Sequence, residues 1–125
     1  MNIQRSERVL ETIPVGSLGI IPLPSCKELG QKVNDYLVQW RKESALEHKN
    51  TIAFQGYEQD SYLVDAAVPR FGSGEAKGIV QESVRGRDLY LMVDVCNYSM
   101  TYKLRGQINH MSPDDHYQDL KRIIA

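Results

Sequence analysis

Apolar residues recur along this chain in two rhythms, a short-period one in compact runs and a helical one in longer stretches. Residues 15–23 form an apolar run rich in glycine and β-branched side chains, stopped by Pro22 and Pro24, and read as a buried strand. Ser25-Cys26-Lys27-Glu28 then has the form of a capping box, in which the Ser25 hydroxyl accepts from the Glu28 backbone and the Glu28 carboxylate reaches back. Leu29, Val33, Tyr36, Leu37 and Trp40 follow at three- and four-residue intervals. They predict a helix from Ser25 to about Glu43 that packs Leu29, Val33, Leu37 and Trp40 inward. The polar segment 44–50 finishes or links this helix, 51–54 is a candidate short strand, and 55–61 is turn-like.

The second half reads as strands until its last helix. Residues 62–68 are strand material ended by Pro69, and 76–81 are a candidate partner, giving a hairpin with Gly72-Ser73-Gly74 at or beside its tip. Residues 89–93 (Leu-Tyr-Leu-Met-Val) are apolar on both faces, as a central strand covered on both sides would be. Residues 99–104 and 107–111 pattern as a further hairpin. Ser112-Pro113-Asp114-Asp115 opens a helix with a capping serine, proline at the first helical position and acids that suit the helix dipole. Leu120, Ile123 and Ile124 begin its apolar face. The expected architecture is α/β: a mainly parallel sheet flanked by helices, with a β-hairpin at one edge.

Composition narrows the class. A chain of 125 residues suits one domain, 1–125. Its last helix reaches Ala125 without a stop signal, so the domain is expected to be the N-terminal part of something longer. The formal net charge of −1 gives no general pull toward nucleic acid or anionic membrane. The N-terminus interleaves charges and lacks the apolar core of a signal peptide, and no run is long enough to span a membrane, so a cytoplasmic location is expected. Cys26 and Cys96 lack metal-ligand spacing and read as buried thiols.

The densest chemistry lies in Arg70-Phe71-Gly72-Ser73-Gly74-Glu75, which puts an aromatic, two glycines and a carboxylate into one turn. Such a loop can stack a flat polar ligand and read it by hydrogen bonds; alternatively Phe71 is core and the glycines serve only the turn. His116 at a helix start reads as structural or as a subunit contact, and His48 and His110 lack partners at ligand spacing. Asp114, Asp115 and Asp119 read as a solvated, dipole-compensating helix end. Arg70, Lys77, Arg85 and Arg87 are candidates to meet phosphate, with surface charge as the plainer reading, and no P-loop pattern is present.

Four segments, in order, are similar to the N-terminal half of the ribose-phosphate pyrophosphokinases. They are Lys27-Glu28-Leu29 at the first helix, Arg70-Phe71-Gly72-Ser73-Gly74-Glu75, Glu82-Ser83-Val84-Arg85-Gly86-Arg87-Asp88-Leu89-Tyr90, and Asp115-His116 at the last helix. The chain departs from the family in carrying Ser73 where aspartate is usual, and in longer connections at 44–62 and 97–111. The resemblance implies a phosphoribosyltransferase-like fold and an adenine site, often completed across a subunit boundary. Phe71 would stack on the base, Glu75 would accept from its amine, Ser73 would hydrogen-bond, and Gly74 would allow close approach. It further implies a homo-oligomeric parent that uses ATP, Mg2+ and ribose 5-phosphate, whose catalytic and metal-binding residues would lie beyond Ala125. On that reading the 125-residue chain alone is inactive. The competing readings are a relative that keeps the fold for assembly or regulation, and an unrelated α/β binding module.

Overall fold

The computed structural model describes residues 16–47 and 59–125. The expected strand at 51–54 and most of the turn at 55–61 lie outside the described residues. The first strand, β1 (Ser17–Pro22), is the axis of the domain, with Ile20, Ile21 and the following Leu23 almost fully buried. It pairs in parallel with β4 (Arg87–Met92), in a register that sets Ser17 opposite Arg87 and Pro22 opposite Met92. On its other side the Ile20 N–H donates to Tyr62 O at 2.8 Å and Ile20 O accepts from Val64 N–H at 2.8 Å, a parallel bridge. Ile21, Val64 and Ala66 form the core, and Val80, Val84, Leu91 and Ile123 pack against it.

That arrangement corrects the expectation of a central strand at 89–93. The segment is a strand, but among the described residues it lies at the edge of its sheet, and Tyr90 is 67% exposed. Two-sided apolarity marks a strand with apolar surface to cover; it does not say which neighbour pairs its free backbone. An apolar cleft of 380 Å³ stays open beside it, lined by Leu18, Ile20, Val33, Leu37, Tyr90 and Met92.

After a single 3-10 turn (Pro24–Cys26), α1 (Lys27–Glu47) runs back along the sheet, beyond the expected end at Glu43. Its buried positions are Gly30 and Asn34, whereas Leu29 is 54% and Trp40 57% exposed, contrary to the expected inward packing; Val33 and Leu37 are half-buried. The reason is close approach. A Cβ on Gly30 would stand 2.5 Å from Pro22 Cβ, so the helix crosses the end of β1 where a glycine lets it. One turn on, Asn34 Oδ1 accepts the Tyr62 N–H at 2.7 Å, joining helix and sheet through a buried polar group. Nor does the capping box form. The Ser25 hydroxyl accepts from the Asp94 N–H at 3.0 Å instead, tying the exit of β4 to the start of α1, and Glu28 pairs with Lys32 at 3.2 Å.

The expected hairpins are present. Strands β2 (Ala66–Ala67) and β3 (Ile79–Val80) pair antiparallel, with a further bridge between Arg70 and Ala76 toward the tip. Strands β5 (Thr101–Leu104) and β6 (Gln107–His110) form the second. Helix α2 (Pro113–Ile124) starts as expected. The Asp115 N–H donates to Ser112 Oγ at 3.1 Å and the Ser112 N–H donates to Asp115 Oδ2 at 2.9 Å. Its last turn backs onto the first hairpin so closely that a Cβ on Gly78 would meet Arg122 O at 2.5 Å. Ile123 reaches the core from there, while Ile124, expected on the same face, points outward. Both cysteines are free, Cys26 buried and Cys96, against expectation, exposed. Among the described residues no helix is long and apolar enough to cross a membrane.

Stability should follow this burial pattern. Ile21→Ala should destabilise the chain by about 2–5 kcal/mol in urea denaturation. Leu29→Ala should cost only about 0.5 kcal/mol or less, and equal losses would show that the helix face is assigned wrongly.

Candidate functional site

The first hairpin ends in a short loop whose geometry is set by backbone bonds. Lys77 N–H donates to Pro69 O at 2.9 Å, Phe71 N–H to Glu75 O at 2.8 Å, and Gly74 N–H to Phe71 O at 2.9 Å. Gly74 has φ +91°, the left-handed conformation that turns the chain back after such a loop and that a side chain would strain. The four candidate residues are therefore together at the tip. Phe71, Ser73 and Glu75 are exposed, Gly74 is half-buried, and the Ser73 hydroxyl stands 3.5 Å from the Glu75 N–H. With 53% of its surface in solvent, Phe71 is not a core residue. An aromatic face held out on a fixed turn, with a carboxylate and a hydroxyl beside it, can stack a planar ligand and accept its hydrogen bonds.

What fixes the turn is Arg70. One guanidinium nitrogen donates to Gly74 O at 2.9 Å and the other to Asp119 Oδ1 at 3.1 Å. The Tyr102 ring lies against the same group, 4.4 Å from the guanidinium carbon to the ring centroid. The ion pair is largely shielded, with side-chain exposures of 13% for Arg70 and 7% for Asp119. Both residues thus depart from expectation: Arg70 is not surface charge, and Asp119 is not part of a solvated helix end. Burial raises the Asp119 carboxyl above its ordinary value, and the nearby charges of Arg70, His116 and Arg122 oppose that rise without cancelling it.

The other basic candidates divide. Arg87 is committed inward, donating to Leu18 O at 3.1 Å and to Glu82 at 3.3 Å, whereas Lys77 and Arg85 remain exposed. His116 is buried, with Nε2 2.7 Å from Asn97 O; a carbonyl only accepts, so that nitrogen carries the proton and the ring is structural. His110 stacks on Tyr98 at 4.5 Å and bonds its backbone oxygen through Nδ1 at 2.8 Å; His48 lies outside the described residues. Among the described residues no group of three His, Cys, Asp or Glu side chains is placed to hold a metal ion.

Sequence reasoning found the loop and missed its support. Arg70 and Asp119 are 49 positions apart, and no periodic or motif signal joins such a pair. Tyr102 carried no signal beyond β-propensity.

The shielded pair makes a titration prediction. Followed by NMR, the Asp119 carboxyl should titrate above an ordinary aspartate, and Arg70→Met should move it higher still. Because the folded-state pKa is the raised one, ionised Asp119 is unfavourable to folding at neutral pH. Its contribution therefore becomes more favourable as pH falls through the folded pKa toward the unfolded value. A midpoint at or below the ordinary value would contradict the burial of this carboxylate.

Against known proteins, the family model for the N-terminal domain of ribose phosphate pyrophosphokinase matches residues 18–125. That span contains β1 from its second residue, the Phe71 loop, the second hairpin and α2. No curated protein and no solved structure gives a significant match.

Proposed function

The chain belongs to the family of N-terminal domains of ribose phosphate pyrophosphokinases, and from that premise we propose that its Phe71 loop binds adenine. The parent would be an enzyme that moves a pyrophosphoryl group from ATP to ribose 5-phosphate, giving AMP and phosphoribosyl pyrophosphate. The observation that carries the reading is the exposed Phe71 ring on a turn pinned by Arg70. A ring more than half exposed on a fixed turn offers a stacking surface, and base–aromatic stacking contributes about 1–3 kcal/mol per base. Glu75 and the Ser73 hydroxyl supply acceptors for the exocyclic amine of adenine. A base approaching Phe71 meets open space at Gly72, where an added Cβ would touch nothing within 4 Å.

In this reading the domain positions the nucleotide, and the groups that stabilise the transferring phosphates come from elsewhere in the parent. Among the described residues no group of three His, Cys, Asp or Glu side chains is placed to hold a metal ion, and in this reading the magnesium of the reaction would be held with the phosphates by residues elsewhere in the parent. The homo-oligomer expected of the family would complete the site across a subunit boundary. Ser73 favours a second reading, an assembly or regulatory relative with weakened nucleotide affinity, because a hydroxyl replaces a charge-assisted contact with a neutral one.

Calorimetry on the complete protein separates the two. Phe71→Ala should weaken ATP binding by about 1–3 kcal/mol, Glu75→Gln should weaken it less, and Ser73→Asp should strengthen it. Affinity for ribose 5-phosphate should stay unchanged in all three. Unchanged ATP affinity in both Phe71→Ala and Glu75→Gln would leave the regulatory reading standing.

A further inference from the structure

The structure places the second hairpin, carried by the connection at 97–111, against the Phe71 loop. Its base is held at several points. Asn97 Nδ2 donates to Ser25 O at 3.1 Å, Asn97 O accepts from the buried His116 ring, and Met111 N–H donates to Met100 O at 2.8 Å. At the far end a two-residue turn, Arg105 at φ +50° and Gly106 at φ +80°, matches the natural twist of the two strands. Between these fixed ends the hairpin comes up against the Phe71 loop. Tyr102 lies over the Arg70 guanidinium, and a Cβ built on Gly74 would stand 3.8 Å from Leu104 Cδ2.

We propose that this hairpin is a brace for the Phe71 loop, and that Tyr102 is a positioning residue for the nucleotide without touching it. The ring shields one face of Arg70 from water, and the guanidinium in turn bonds the carbonyl of the left-handed Gly74 and the carboxylate of Asp119. With the ring removed, water competes for the same guanidinium N–H groups, and the turn loses the bond that fixes its last residue. A loop that must be ordered at the moment of binding holds its ligand less tightly than one already ordered. The effect on nucleotide rests on the adenine reading of the loop; the brace itself does not.

Two readouts on the complete protein test it. Hydrogen exchange reports the brace directly, through the Phe71 and Gly74 amides that close the turn. Tyr102→Ala should speed exchange at these amides while β1 and α2 keep their protection, and Tyr102→Phe, which retains the ring face, should restore it. In parallel, Tyr102→Ala should raise the Kd for ATP about fivefold to tenfold, with Tyr102→Phe within about twofold of the native protein. Unchanged exchange at the loop overturns the brace, as does faster exchange spread through β1 and α2. If Phe71→Ala weakens ATP binding and Tyr102→Ala does not, the positioning role falls and the adenine site stands. If neither substitution moves ATP affinity, it is the adenine reading that falls, and exchange alone decides the brace.

Discussion

Arg70 carries a full positive charge into a place where only 13% of its side chain meets solvent, and the candidate site is built around what that charge requires. A guanidinium withdrawn from water must have its N–H groups and its charge compensated; here a backbone carbonyl and a buried carboxylate accept from its two terminal nitrogens, and an aromatic ring lies over it. Those three partners belong to three different pieces of chain: the loop, α2 and the second hairpin. One side chain thus joins all three segments. Lysine, with a single point charge, would not hold a carbonyl and a carboxylate in one plane while presenting a flat face to Tyr102.

The same requirement explains why Phe71 is free. Its neighbour Arg70 turns inward to these partners, whereas Phe71, one residue on at the entry to the turn, is exposed with Ser73 and Glu75 beside it. The buried pair is a weak source of net stability, because desolvating two charges offsets most of their attraction. Its value lies in geometry: the carbonyl of Gly74 is held in one place, and the direction of the tip is held with it. A raised Asp119 pKa is the visible cost of keeping that carboxylate out of water.

Local patterns carried much of this fold, and contacts between distant segments supplied what they could not. The strand at 17–22, the two hairpins and the Ser112 cap were legible because their signals lie within a few residues: β-branched runs, a Gly-Ser-Gly turn, a capping serine followed by proline and two acids. The inner face of α1 was misread because its closest contacts use Gly30 and Asn34, a small residue and a polar one that hydropathy cannot see. Ser25 had a good capping partner in sequence but found a better-placed donor 69 positions away at Asp94. In the site, the composition of the loop was readable at once. Its dependence on Asp119 and Tyr102 was not, since a charge in the middle of a helix and a tyrosine in a strand look like surface until the fold brings them to Arg70.

The claim that most needs a direct observation is that the exposed face of Phe71 meets the base of ATP. Intermolecular nuclear Overhauser contacts in the complete protein, with Phe71 selectively labelled and ATP near saturation, report that proximity without relying on affinity. The account predicts contacts from the Phe71 ring protons to adenine H2 or H8, and none from the ring protons of Tyr102. Base protons that contact other residues while Phe71 stays silent would contradict it.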